Sequence, residues 1–205
     1  MSNILFTIGH SNRILQEFIE LLDHYGILSV CDVRSTPYSS KNPQFNREPL
    51  QDVLKKRGKF YVYLGHELGG RPDNPDYYTN GKADYKIIAS MSFFKRGLER
   101  VRSGVEKNFI PALMCSEKDP ISCHRAILIC KHLQSENLLI RHVIDKQTVE
   151  DHKDLEQRLI NNLKIHPDFF ENNPSTMIER AYEIQASRIA YTQDLQSTIH
   201  TESND

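Results

Sequence analysis

The chain has 205 residues, with 26 Lys and Arg against 27 Asp and Glu, for a net charge of −1. That balance excludes the strongly basic character of a dedicated nucleic-acid-binding domain, and the composition is that of an ordinary soluble globular chain with room for one sizeable core and an appendage. No apolar run approaches the roughly 18–20 residues that span a bilayer, and Met1 to Thr7 lacks the regions of a signal peptide, so the expected location is cytoplasmic, with Cys31, Cys115, Cys123 and Cys130 reduced.

Ile4 to Ile8 is a short apolar run closed by Gly9-His10-Ser11-Asn12. Leu15, Phe18, Ile19, Leu22 and Tyr25 follow at helical spacing, and Gly26 ends that helix. Ile27 to Val33 reads as a second buried strand, followed by a polar segment from Arg34 to Arg47 and a short helix from Pro49 to Lys56. Phe60 to Leu64 is a third strand, and a long Gly/Pro/Asn/Tyr-rich loop runs from Gly65 to about Gly81. Lys86 to Arg102 presents Ile87, Met91, Phe94, Leu98 and Val101 on one helical face. Phe109 to Cys115 is a fourth strand, a helix starts at Ser122 or Cys123 and runs to Gln134, and Leu139 to Ile144 is a fifth strand.

Strands that alternate with helices imply a parallel sheet with right-handed crossovers, and nearly continuous apolar strands imply cover on both faces. The expected fold is α/β: a doubly wound, mainly parallel five-stranded sheet with helices on both faces and a C-terminal helical extension. Residues 1–146 form the α/β domain, 147–196 the helical extension and 197–205 a disordered tail. The extension carries two apolar stripes: Leu155, Leu159, Ile160 and Leu163, then Met177, Ala181, Ile184 and Arg188 after the Asn173-Pro174 cap.

Charge is unevenly spread. Residues 1–146 hold 21 Lys and Arg against 16 Asp and Glu, whereas 147–205 hold 5 against 11. A basic core suits a phosphorylated ligand or a polyanion, though a normal solvated surface has the same look. The apolar stripes of the extension need a partner surface, either the core in cis or a second copy of the chain in a homo-oligomer. The short connection from the fifth strand favours cis packing.

In an open parallel sheet, ligands bind beyond the carboxyl ends of the strands. There the first strand delivers His10, Ser11 and Arg13, and the second Asp32, Arg34, Ser35, Thr36, Tyr38, Ser39 and Lys41. The third delivers His66, Glu67 and Arg71, with Gly69-Gly70 allowing close backbone approach. The fourth delivers Cys115, Ser116, Glu117, Lys118, Cys123, His124 and Arg125. A helix start carrying Cys123-His124-Arg125 is an anion site and lowers the pKa of a thiol beside it.

Thr7-Ile-Gly-His-Ser11, Asp32-Val-Arg-Ser-Thr-Pro37, Leu64-Gly-His-Glu-Leu-Gly-Gly-Arg71 and Cys115 with Cys123-His-Arg125 together resemble the domain-of-unknown-function 488 family, over roughly residues 4–145. The resemblance implies an α/β domain with a pocket at this edge. It carries over no reaction.

The residues themselves allow several uses. Cys115 and Cys123 with His124 and His66 offer zinc donors, but the two cysteines are eight apart and no second Cys pair exists; no metal and no cofactor are expected, with zinc the alternative. The loop is not the Cys-x₅-Arg cradle of cysteine phosphatases, because Ile121 stands where the Arg is needed. Cys31 and Cys130 sit in apolar runs and read as core. Asp32, Glu67 and Glu117 offer acid–base or nucleophilic carboxylates, or alternatively Asp32 with Arg34 and Glu67 with Arg71 order their loops as ion pairs. Tyr77, Tyr78 and Tyr85 flank the long loop and can stack on a base or pack the loop. Neither Gly-x-Gly-x-x-Gly nor a P-loop sequence is present.

The leading expectation is an enzyme that hydrolyses or transfers a group on a phosphorylated substrate, a nucleotide or nucleic acid above all, without a membrane partner. Arg34, Arg71 and Arg125 would bind the anion, helped by Ser11, Lys41, His66 and Glu117, while Asp32, Glu67 and His10 or His124 handle protons. The alternatives are a thiol-dependent enzyme using Cys123 and a non-catalytic sensor of a phosphorylated ligand.

Overall fold

The computed structural model describes residues 3–135, 137–166 and 173–193. In chain order the strands are β1 (Ile4–Gly9), β2 (Ser29–Asp32), β3 (Phe60–Tyr63), β4 (Tyr78–Thr79), β5 (Lys82–Ala83), β6 (Pro111–Cys115), β7 (Leu139–Val143) and β8 (Val149–Asp151). The helices are α1 (Leu15–His24), α2 (Arg47–Lys56), α3 (Gly65–Leu68), α4 (Tyr85–Ser90), α5 (Ser92–Glu106), a π-helix (Arg125–Cys130) running into α6 (Lys131–Leu133), α7 (His152–Leu163) and α8 (Pro174–Ile189).

Five strands pair in parallel in the order β3-β2-β6-β1-β7, and β8 adds an antiparallel edge to β7. The sheet is therefore six-stranded, one more than expected. Alternate side chains feed two cores because successive Cβ atoms point to opposite faces. On one face Phe6, Ile8, Val30, Ala112 and Met114 meet Phe18, Leu22, Leu50 and Leu54 of α1 and α2. On the other, Leu5, Cys31, Leu113 and Cys115 meet α5, the π-helix, α7 and α8 through Phe94, Leu98, Leu128, Leu159 and Tyr182. Helices cover both faces, as the apolar strands require.

The chain leaves β2 toward the α1/α2 face and leaves β6 toward the opposite face. Since β2 and β6 are neighbours, a crevice opens between their carboxyl ends, the switch-point position where ligands bind in such sheets. Gly9 shapes the approach to it. A Cβ there would stand 1.9 Å from the Glu117 carbonyl oxygen, so only glycine lets the loop after β6 cross the end of β1.

Three local expectations are corrected. The long segment after β3 is not structureless: it holds α3, a 3-10 turn (Pro75–Tyr77) and the β4–β5 hairpin, whose Asn80 and Gly81 both take positive φ, 52° and 73°. The expected helix over 86–102 breaks at Met91, which is extended between α4 and α5. The expected helix from Ser122 or Cys123 begins instead as a 3-10 turn (Pro120–Ser122) and continues as the π-helix. The extension packs on the core in cis: Leu155, Leu159, Ala181 and Tyr182 are buried, and Gln185 donates to the Ile121 carbonyl at 2.8 Å. Residues 197–205 lie outside the described residues.

Candidate functional site

A cavity of about 420 Å³ opens at the carboxyl ends of β2 and β6. The loop after β2 supplies Arg34, Ser35, Thr36 and Tyr38; the segment after α3 supplies Gly70 and Arg71; and the loop after β6 supplies Cys115, Glu117, Cys123 and His124. Gly70 presses on the last of these, since a Cβ there would meet His124 Cγ at 3.0 Å. A larger groove of about 560 Å³ between α4, the π-helix and α8 has no cysteine in its wall, and its Lys86 is already paired with Glu183.

The imidazole of His124 is aimed by its hydrogen bonds. Its Nε2 donates to the Val33 carbonyl at 3.0 Å, which leaves Nδ1 facing Cys115 Sγ at 3.7 Å and Cys123 Sγ at 3.9 Å. The two thiols are not equivalent. Cys115 has one proton to give, and Glu117 Oε2 at 3.1 Å and the Cys123 sulfur compete for it. Cys123 Sγ instead accepts the backbone N–H of Arg125, at 3.5 Å. Burial opposes charge on Cys123, yet hydrogen bonding from Cys115, the charge of Arg125 and the hydrogen bond and charge of His124 outweigh it and hold this thiol well below the ordinary range. Cys115 is pushed well up by its hydrogen bond to Cys123, by burial and by the neighbouring negative charge. Burial works against the His124 imidazolium, but its hydrogen bond to Cys123 and the charge there raise it. Both shifts favour a thiolate on Cys123 with a protonated imidazole beside it.

Arg125 explains why that charge is tolerated. Its side chain is wholly buried, and its guanidinium donates to the carbonyls of Glu117 at 2.6 Å and Lys118 at 3.0 Å and to Thr7 Oγ1 at 3.3 Å. No carboxylate pairs with it among the described residues. A buried cation needs compensation, and a Cys123 thiolate, which the Arg125 charge favours, supplies it. The expectation that Arg125 binds a ligand anion is corrected, because the guanidinium is enclosed and spent on the protein's own oxygens.

The other sequence-derived candidates divide. Arg71 and Glu117 line the cavity. Arg71 stacks over the Tyr191 ring at 4.6 Å and has no ion pair among the described residues. Asp32 is buried and paired with Arg34, at 2.6 and 2.9 Å, and accepts from Tyr61 OH at 2.7 Å. Arg34 borders the cavity, but its guanidinium is committed to Asp32, to the Phe45 carbonyl at 2.8 Å and to His10 Nε2 at 3.3 Å. His10 is stacked on Phe45, its centroid 4.5 Å away, and burial lowers it to about 4. Ser11 takes a left-handed turn, with φ 50°, outside the cavity lining. Lys41 lies exposed on the loop after β2, also outside it. His66 sits edge-on to Tyr63, and Glu67 pairs with Arg100, not with Arg71. His10, Asp32, Arg34, His66, Glu67 and Arg125 therefore do not line one pocket: a buried triad underpins the loop, and two members are on the outer surface of α3.

Sequence reasoning missed Ile189 and Tyr191, which bring the end of α8 to the cavity rim. Nothing in their spacing signals this, because the contact spans more than a hundred residues. Cys115, Cys123 and His124 place their donor atoms within 4.8 Å of one another, so the cavity floor can also hold a metal ion.

A family model described as Domain of unknown function DUF488 matches residues 14–131, more than half of the chain. The chain belongs to the DUF488 family. The matched span of this DUF488 chain contains the segments Asp32–Pro37 and Leu64–Arg71, together with Cys115 and Cys123–Arg125. It starts after Thr7–Ser11, so the match is shorter than the resemblance over 4–145 implied. No curated protein and no solved structure gives a match. No described helix of the DUF488 chain is long and apolar enough to cross a membrane.

Proposed function

We propose that this chain is a thiol-dependent enzyme in which Cys123 is the nucleophile, acting on a substrate that carries a phosphoryl-class anion. The observation that carries the reading is the hydrogen bond from His124 Nε2 to the Val33 carbonyl, which turns Nδ1 onto the sulfurs. A nucleophile, a base and a third group that orients the base are the recurring parts of covalent catalysis. In the first step Cys123 Sγ bonds to the electrophilic centre, and the leaving group takes the proton from His124 Nδ1. In the second, water attacks that centre as Nδ1 accepts its proton, the bond to sulfur breaks, and the thiolate returns.

Arg71 and the hydroxyls of Ser35, Thr36 and Ser122 would receive the anion at the mouth. A cavity of about 420 Å³ suits a ligand of nucleotide or phosphosugar size. The carboxylate mechanism loses support, since Asp32 and Glu67 are paired outside the cavity.

A thermal-shift screen of nucleotides, phosphosugars and short oligonucleotides identifies ligands, because a ligand of the folded state raises apparent stability. Hits are then tested for turnover and for a covalent adduct by intact mass. Arg71→Ala is expected to weaken binding, and Cys123→Ser to abolish turnover while leaving binding in place. Binding without turnover in the unmodified protein would favour the sensor, and full turnover in Cys123→Ser would overturn the thiol mechanism.

A further inference from the structure

We propose that Cys130, His142 and His152 form a buried site for a zinc-class metal ion, distinct from the cavity and fastening the C-terminal helices to the sheet. Cys130 closes the π-helix, His142 lies on β7 and His152 opens α7. All three side chains are buried, and their donor atoms lie within 4.8 Å of one another.

The rings are held in the orientation that ligation requires. His142 Nδ1 bonds Thr7 Oγ1 at 2.8 Å. His152 Nε2 bonds Tyr182 OH at 3.1 Å, and that hydroxyl donates to Glu156 Oε1 at 2.8 Å. The outer nitrogens are thus engaged, and the inner ones, His142 Nε2 and His152 Nδ1, face each other at 2.8 Å beside the sulfur. Outer hydrogen bonds of this kind, one ending on a carboxylate through a hydroxyl, fix the rings of metal-bound histidines.

The two inner nitrogens stand close to the spacing of a loaded site. Donors around tetrahedral zinc stand about 3.3–3.6 Å apart, given Zn–N near 2.05 Å and Zn–S near 2.3 Å. The two inner nitrogens need to part by only about 0.5 Å to reach that spacing. A thiolate with two imidazoles is a three-donor set for zinc(II) that leaves one position open. Uptake releases one proton. Cys130 loses its thiol proton, while the His142 ring proton passes from Nε2 to Nδ1, where Thr7 Oγ1 accepts it.

The placement gives the ion a structural purpose. Three distant segments meet there, two from the sheet domain and one from the extension. Loading the site would stabilise the folded state by mass action.

The test is metal binding by the chelator-stripped full chain. Zinc(II) is titrated against a chromophoric chelator, and cobalt(II) is followed by absorption. The double variant Cys115→Ser/Cys123→Ser silences the cavity thiols. One equivalent bound by the double variant, with a thiolate-to-cobalt charge-transfer band, supports the site, whether or not the unmodified protein takes a second ion in the cavity. Cys130→Ser added to the double variant should then remove that band and weaken binding by about 100-fold or more. If Cys130→Ser does not fold, His152→Gln is read for the same loss, and the band in the folded double variant decides on its own. A metal bound by the unmodified chain but lost in the double variant would assign it to the cavity and overturn the proposal. No binding to either protein would leave a metal-free imidazole–imidazole hydrogen bond and overturn it equally.

Discussion

His124 presents Nδ1 to Cys123 Sγ at 3.9 Å because its Nε2 is spent on the Val33 carbonyl. The pair joins two loops: Val33 follows β2, and Cys123 precedes the π-helix. The ring orientation is set by the backbone, and the histidine together with the enclosed Arg125 favours the thiolate. Replacing His124 with Gln removes the base and one of the charges that favour the thiolate. Alkylation of Cys123 by iodoacetamide near neutral pH should slow by about 10- to 100-fold, with its pH profile moved upward. An unchanged profile would detach His124 from the thiol.

Asp32 and Arg34 form a buried pair under the cavity floor. Asp32→Asn leaves the guanidinium enclosed and uncompensated, which costs about 3–5 kcal/mol. Chemical denaturation should show this loss. A variant of normal stability that has lost all activity would return Asp32 to a catalytic role.

His10 makes stability depend on pH. Burial, aided by the Arg34 charge and opposed by the hydrogen bond to the Ser11 carbonyl, lowers it from 6.5 to about 4. The folded state keeps the ring neutral while the unfolded chain protonates it, so the unfolded state binds more protons between these values. The stabilisation is whole above pH 6.5 and is lost as pH falls toward 4, by about 3 kcal/mol in all. His10→Gln should flatten that limb of the stability curve. A slope of the same size in the variant would place its origin elsewhere.

Gly9→Ala tests the crossing of β1 by the loop after β6. The Glu117 carbonyl must move, and with it the Arg125 guanidinium that it binds. A loss of about 2–3 kcal/mol is expected, with a slower-reacting Cys123, and both are read from denaturation and alkylation on the same sample. Unaltered values would mean that the loop yields freely.

The layered α/β architecture was legible because its strands are buried on both faces and read as continuous apolar runs. The edge strand β8 was not: Val149-Glu150-Asp151 has a single apolar residue and pairs on one side only. The β4–β5 hairpin did carry a signal, Asn80-Gly81, the pair favoured where a two-residue turn needs positive φ at both positions. At the site, loop positions after β2 and β6 could be read from strand ends, which placed Cys115, Cys123 and His124 correctly on one edge. Which charged residues face the cavity could not. Arg125 and Asp32 sit at strand-end positions like the others, yet the fold turns both inward, and Glu67 finds Arg100 on α5 instead of Arg71. Partner choice among arginines depends on packing between distant segments, and spacing along the chain does not encode it. The same holds for Tyr191, which reaches Arg71 from just beyond the last helix.

The most direct test of the account is the pH dependence of Cys123 alkylation, followed by peptide mass spectrometry, with Cys31 and Cys130 as internal references. Burial raises both reference thiols, Cys31 to about 12. An ordinary thiol with pKa near 8.5 is under about 1% ionised at pH 6. The account predicts a Cys123 rate that levels off well below the pH at which an ordinary thiol does, while Cys31 and Cys130 stay unmodified. A Cys123 rate that climbs about tenfold per pH unit up to pH 8, as for an unperturbed thiol, would contradict it.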